Sequence, residues 1–201
     1  MALGLELKYG FASLWEKAMS NQVVSAMSEL FVRWMRYQRQ SGGLPRRSFD
    51  AEWRSPCEVG DVWDQQISWQ PVARQEAGSM ANVESGLEMT LHEDLVNYFG
   101  HWYAGALAFS FKGLRVEPVL AWNASDFERL QENLIGHALM QRRLRLRPTF
   151  FLAATRSDSH VISLDNASGE VCYERLGREQ HQRLAPNLAT FLARLEPLRN
   201  E

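Results

Sequence analysis

The chain has 201 residues, of which 45% are hydrophobic and 23% are charged, and its formal net charge is −2. This length and composition predict one soluble globular domain with a well-buried core. A slightly acidic chain lacks the strongly basic character of most nucleic-acid-binding domains, so we expect no nucleic-acid partner. Cys57 and Cys172 are too few for a disulfide framework and have no C-x-x-C spacing. We expect two buried, reduced thiols.

No segment of the sequence reads as a signal peptide or a membrane span. Glu6 and Lys8 fall where the apolar core of a signal peptide would lie. The uncharged stretch at residues 95–111 contains Gly100 and Gly105 and is shorter than the roughly 20 apolar residues that a spanning helix needs. We therefore expect neither export nor insertion into a membrane.

The first predicted element is an amphipathic helix at residues 21–40. Its apolar residues recur with helical spacing, and arginines occupy the other side. Gly42, Gly43 and Pro45 then indicate a long connection that leads to a short strand at residues 67–69.

Residues 82–102 predict one helix or two short helices that end near Gly100. Strands at residues 104–111 and 114–121 should follow, and Lys112 and Gly113 would form the turn between them.

The clearest helix signal begins at Asp126 and extends to about Leu144. Ser125 and Glu128 fit a capping box, and Pro148 prevents the helix from continuing. The elements predicted after it are three strands and a final helix, at residues 149–154, 160–164, 170–175 and 186–195. Helices, then hairpins, then a helix predict an α+β fold in a single domain, with helices packed against a mixed, mostly antiparallel sheet.

Residues that could carry chemistry do not form a recognisable site. His92, Glu93, Asp94 and His101 are the nearest approach to a metal site, but histidines nine residues apart match no common ligand spacing. Cys57 as a nucleophile would need a base that the sequence does not place. The chain also lacks phosphate-binding and nucleophile-elbow motifs. We expect no enzyme activity, no catalytic residue, no metal and no cofactor.

Charge is distributed unevenly along the chain. Between Asp50 and Asp94 there are ten acids and two arginines, which gives a local charge of −8. Such a region can attract a basic partner, although acidic runs also occur simply because they stay solvated. Glu84 and Glu88 are four residues apart, so on a helix they would project from one face towards the same partner.

Two groups of arginines have the opposite bias. The second group stands at the end of the helix predicted to finish near Leu144, where positive charge suits the helix dipole. A patch for nucleic acid or anionic lipid is the alternative, but the arginines lack the interleaved aromatic residues of a single-strand platform. The two groups are Arg33, Arg36, Arg39, Arg46 and Arg47, and Arg142, Arg143, Arg145 and Arg147.

Several pieces of the chain resemble the Syd family of SecY-interacting proteins. The resemblance is closest between Trp122 and Leu198, in the strings WNASDF, QENLIGH, RRLRLRP, SGEVCYERLG and LAPNLATFLARLEPL. Weaker pieces occur at residues 55–57 and 68–71. Residues 1–18 match nothing that is associated with the family, so the expected domain is 19–201, with Met19 as the candidate start.

The resemblance implies a non-enzymatic regulator that binds the cytosolic loops of SecY, the channel of the bacterial protein translocase. It would recognise uncomplexed or abnormal SecY and restrain translocation or act in quality control. The family fold belongs to the SUKH group, whose binding surface is a concave acidic groove. Location in the bacterial cytoplasm is implied, with peripheral association at the cytoplasmic side of the inner membrane, indirectly through SecY.

Seven residues are expected to contribute to partner binding, with Trp69 as an aromatic anchor among acids. An acidic groove complements the basic cytosolic loops of a protein that obeys the positive-inside rule. The alternative is an immunity-type protein of the same superfamily that neutralises a toxin through an acidic groove. The expected binding residues are Asp61, Asp64, Trp69, Glu84, Glu88, Glu93 and Asp94.

Overall fold

A computed structural model of the chain describes residues 22–179 and 181–199. The segment 1–18, which the sequence sets apart from the rest, lies outside the described residues. The helices in the described part are α1 Gln22–Gln40, α2 Ala81–Leu87, α3 Glu93–Gly100, α4 Ala124–Arg143 and α5 Leu188–Ala193.

The strands of the described residues form three antiparallel sheets. Their bounds are β1 Arg46–Ser48, β2 Glu58–Trp63, β3 Gln66–Trp69, β4 Val72–Ala73, β5 Trp102–Tyr103, β6 Phe109–Phe111, β7 Leu114–Pro118, β8 Thr149–Ala154, β9 His160–Asp165, β10 Val171–Arg175, β11 His181–Ala185 and β12 Glu196–Pro197. A seven-stranded sheet has the order β11-β10-β9-β8-β7-β6-β12, a three-stranded sheet has the order β1-β3-β2, and β4 pairs with β5. The α+β prediction is confirmed.

Helices cover the large sheet and bury its apolar residues. Helix α1 packs against α3, α5 and β12, while α4 packs against β8 and α2. Trp34 from α1, Leu134 from α4 and Phe150 from β8 are all almost completely buried in one continuous core. Burial of such large apolar side chains is the main stabilising contribution to a domain of this size.

Most elements follow the predicted order, with differences in length. Residues 82–102 form two helices, and α3 ends at Gly100 as expected. The strands predicted at residues 104–111 and 114–121 are shorter than expected. Lys112 and Gly113 both have positive φ, of 51° and 84°, as a type I′ turn between β6 and β7 requires.

The start of α4 differs from the prediction by two residues. The N-cap is Asn123, whose side-chain oxygen accepts a hydrogen bond from the Asp126 backbone N–H at 2.9 Å. The Asp126 carboxylate in turn accepts a hydrogen bond from the backbone N–H of Trp122, the residue before the N-cap, at 2.8 Å. The capping box predicted at Ser125 and Glu128 is therefore wrong, since both residues lie inside the helix.

A buried polar network joins α4 to the sheet. Glu174, on β10, is 1% exposed, and its carboxylate accepts hydrogen bonds from the Thr149 hydroxyl at 2.6 Å and the Gln141 side-chain amide at 3.0 Å. The Gln141 side-chain oxygen also accepts from the Thr149 backbone N–H at 3.0 Å. These hydrogen bonds to both oxygens offset the cost of burying the Glu174 side chain.

The position of the cap can be tested by paired substitutions. We expect Asn123→Ala to lower the free energy of unfolding by about 1–2 kcal/mol, because it removes the N-cap. The upper part of that range is favoured because the Asn123 amide also donates to the Arg54 carbonyl. Ser125→Ala is the control and should change stability by less than about 0.5 kcal/mol. Urea denaturation measures both, and a larger loss for Ser125→Ala would contradict the assignment.

Candidate functional site

The β2–β3 hairpin carries the first group of predicted binding residues. Asp64 and Gln65 form its two-residue turn, with φ of 51° and 55°, which is the type I′ geometry that suits a tight hairpin. Asp61, in β2, and Asp64 are both exposed. Strand β2 lies at the edge of the three-stranded sheet, and five of its six residues are exposed. The hairpin therefore projects its acids into solvent.

Exposed apolar side chains accompany these acids. Trp63 is 75% exposed and Val62 is 43% exposed. Sequence reasoning did not single out Trp63, although its place between two aspartates and next to a turn was visible in the string DVWDQ. A large exposed aromatic side chain beside polar residues is typical of a protein interaction site.

Trp69 belongs to the core instead. Its side chain is 3% exposed, and its ring centroid lies 5.3 Å from that of Trp34 and 5.9 Å from that of Trp122. A Cβ atom on Gly105 would come within 2.9 Å of the same ring, so the backbone at Gly105 packs directly on it. A ring enclosed in this way does not contact a partner in this conformation, which corrects the expectation that Trp69 is a surface anchor.

The contrast between the two tryptophans predicts different effects on stability. We expect Trp69→Ala to lower the free energy of unfolding by about 3–5 kcal/mol, because it leaves a large cavity. Trp63→Ala should change it by less than about 0.5 kcal/mol, since its ring is largely solvated. Chemical denaturation of both variants is the measurement. Equal losses would contradict the assignment of Trp69 to the core and Trp63 to the surface.

The second group of acids lies on α2 and α3 and in the loop between them. Glu84 is half-buried, and its carboxylate accepts a hydrogen bond from the Leu91 N–H at 2.9 Å. Glu88 is the C-cap of α2 in a left-handed conformation, with φ of 51°. The prediction that Glu84 and Glu88 project from one helical face is wrong, because the helix ends between them. Glu84 instead holds the loop that follows α2.

Glu93 and Asp94 begin α3. Glu93 is exposed, whereas Asp94 is half-buried, and burial raises the pKa of its carboxyl. Nearby His92 and a hydrogen bond from the Leu188 backbone N–H oppose that rise. None of the principal contacts between elements in the described chain joins the β2–β3 hairpin to α2 or α3. The predicted acids thus lie on two parts of the fold that do not pack closely against one another.

The described residues contain no group of three or more histidine, cysteine or acidic side chains arranged to hold a metal ion. His92 is instead the N-cap of α3, where its Nδ1 accepts a hydrogen bond from the Asp94 N–H. His101 Nδ1 lies 3.0 Å from the Asn97 carbonyl oxygen. Burial raises the pKa of the Cys57 thiol to about 11, which disfavours the nucleophilic thiolate. Cys57 and Cys172 are free and buried, as predicted.

Many of the arginines highlighted by the sequence interact with the protein itself. The Arg33 guanidinium donates to the Leu192 carbonyl, and Arg142 donates to the Leu87 carbonyl. Arg47 lies over the Trp122 ring, with its guanidinium carbon 4.2 Å from the ring centroid. Such contacts give these arginines a structural role, because they bind carbonyl groups near helix ends and cover a buried aromatic ring.

Comparison with known proteins identifies the family. The family described as "Syd protein (SUKH-2)" matches residues 24–197. The chain belongs to the Syd family. It is 44% identical to a protein named Protein Syd from Aeromonas salmonicida over 180 residues, which cover 90% of this chain and 99% of that one. The protein of the same name from Tolumonas auensis is 45% identical, with 90% and 92% covered, and that from Pectobacterium atrosepticum is 40% identical, with 90% and 99% covered.

The strings that carry the Syd resemblance mainly serve packing. In QENLIGH, Leu134 is fully buried, and a Cβ atom on Gly86 of α2 would lie only 3.2 Å from the Ile135 side chain. In the turn after β9, Asn166 accepts from the His92 N–H at 2.8 Å, and Gly169 packs against the His92 ring. No helix among the described residues has the length and apolarity needed to cross a membrane.

Proposed function

We propose that this Syd-family chain is a non-enzymatic regulator that binds the cytosolic loops of SecY. The family match over residues 24–197 carries this proposal. The local charge of −8 between Asp50 and Asp94 supports it, because basic cytosolic loops are expected of a membrane protein. The chain would recognise uncomplexed or abnormal SecY and restrain translocation or act in quality control.

The same proposal places the chain in the bacterial cytoplasm, with peripheral association at the cytoplasmic side of the inner membrane through SecY. Its role requires no catalytic residue, metal or cofactor. Binding through exposed carboxylates needs only charge complementarity and a fitting surface.

The structure narrows the acids that suit this role. Asp61, Asp64, Glu88 and Glu93 are exposed, so their carboxylates can meet a partner without the loss of an internal bond. Glu84 is a poorer candidate because its carboxylate already accepts a hydrogen bond from the Leu91 backbone N–H. Asp94 interacts with the backbone of Leu188. Substitution of Glu84 or Asp94 would therefore mix an effect on binding with an effect on folding.

Neutralising the hairpin acids tests the proposal. We expect Asp61→Asn with Asp64→Asn to weaken binding to purified SecY in lipid nanodiscs several-fold at low salt, and to flatten the salt dependence of affinity. Asparagine is well tolerated at positive φ, so the change at Asp64 keeps the turn. The measurement is the affinity for SecY between 0.05 and 0.5 M salt, a range over which the Debye length falls from about 14 to about 4 Å.

A matched control comes from two exposed acids on α4. Glu128→Gln with Glu132→Gln removes the same charge from an element outside the acidic region and should leave binding unchanged. If wild-type protein does not bind SecY, the proposed function is wrong. If both double variants lose affinity equally, net charge rather than the hairpin acids explains the attraction.

A further inference from the structure

The exposure of Trp63 is the largest departure from ordinary burial on the described surface. At 75% exposed, it leaves most of an indole in water, and Val62 and Val59 beside it on β2 are also exposed, at 43% and 36%. Burying an aromatic ring of this size is one of the most favourable contributions that a side chain can make to binding. The hairpin therefore exposes a large aromatic ring that the fold itself does not bury.

The tip that carries Trp63 is held in place by hydrogen bonds from outside the hairpin. The Arg46 guanidinium donates to the Trp63 carbonyl at 2.7 Å and to the Gln66 carbonyl at 3.2 Å. The Phe49 N–H donates to the Gln65 carbonyl at 2.8 Å. Because these bonds order the tip before any partner arrives, less conformational entropy is lost on binding.

The charge around Trp63 selects the kind of partner. From Ser55 to Ala73 the chain has three acids and no lysine or arginine, and Arg46 adds one positive charge at the tip, where its guanidinium is bound to the Trp63 and Gln66 carbonyls. Glu58 is paired with Arg54, which leaves the exposed Asp61 and Asp64, two residues before and one residue after Trp63 in the chain. A positively charged side chain that stacks on the ring would be attracted by the ring face and by both carboxylates.

We propose that Trp63 is the anchor of a docking surface formed with Asp61 and Asp64, and that its occupant is an extended basic segment of a protein partner. An arginine or lysine of that segment stacks on the indole while the two aspartates pair with neighbouring cations. This inference rests on the proposed function, in which a basic SecY loop is the segment. It adds the residue that makes the central contact and the side-chain type that it receives.

Recognition at this surface proceeds through side chains rather than through an added strand. Gly60 has φ of 76°, and the pairing register between β2 and β3 shifts between Val59 and Trp63. A bulge of this kind bends an edge strand and breaks the regular row of N–H and C=O groups that strand addition needs. A second copy of the chain is also disfavoured, because a two-fold interface would bring the same aspartates together.

Substitution of the anchor gives the first test. With full-length chain and SecY in nanodiscs, we expect Trp63→Ala to bind about 30-fold more weakly, as loss of a hot-spot tryptophan does. Trp63→Phe should lose less, because it keeps a smaller aromatic face. Leu144→Ala is the matched control: Leu144 is 49% exposed at the end of α4 and should be dispensable. Folding of each variant is checked by thermal unfolding.

A second test does not depend on SecY. The indole N–H resonance of Trp63, assigned by its absence from Trp63→Phe, is followed by NMR during titration with a synthetic ten-residue peptide of alternating arginine and valine. We expect that resonance to move before those of buried Trp34 and Trp69. An equally long peptide of glutamate and valine should not move it. In the absence of peptide, the sedimentation coefficient of the chain should be that of a monomer.

The outcomes separate the anchor from the proposed function. If SecY binds wild type and Trp63→Ala with equal affinity, the anchor is wrong and the proposed function stands. If the basic peptide moves the Trp63 resonance but SecY does not bind, the anchor stands and the proposed function is wrong. Self-association that is lost in Trp63→Ala would overturn the basic occupant in favour of a second copy.

Discussion

The burial of Trp69 is the contact on which the candidate surface depends. Its ring packs between Trp34 of α1 and Trp122, which precedes α4, so one side chain joins the small sheet to both long helices. Gly105 packs so closely against the ring that a side chain at this position would displace it. Because β3 is fixed by this contact, its hairpin partner β2 is carried outwards at the edge of the sheet, where its residues are exposed.

The ordered tip of the hairpin and the irregular edge of β2 would serve different requirements of the proposed docking surface. Hydrogen bonds from Arg46 and Phe49 order the tip of the hairpin, which reduces the entropy lost when a partner is bound. The bulge near Gly60 interrupts the edge of β2, which prevents indiscriminate pairing with other strands. The exposed apolar tip need not cause aggregation for this reason. The neighbouring aspartates also oppose self-association, because the same negative charges on two copies of the chain repel each other.

Sequence patterns predicted the long elements well and the short ones poorly. Helix α4 follows from repeated apolar spacing and from Pro148, and β8 lies at the predicted residues because TFFLAA is a continuous apolar run. The polar strand β2 and the two-residue strands have no such periodicity, so their pairing depends on tertiary contacts. Trp63 and Trp69 show the same limit, because only the register of the hairpin decides which indole is buried.

The strings that carry the family resemblance and the surface proposed to bind a partner lie in different parts of this chain. The turn that holds Asn166 and Gly169 is recognisable because it must fit His92 and the loop before α3, and QENLIGH is recognisable because its apolar residues fill the contact between α4 and α2. Packing restricts such residues to few alternatives. An exposed hairpin is not restricted by internal packing, so its sequence is less distinctive even where it is proposed to bind a partner. The acids of β2 could thus be noticed from the sequence as a charge bias, whereas their aromatic companion could be identified only once the fold had separated surface from core.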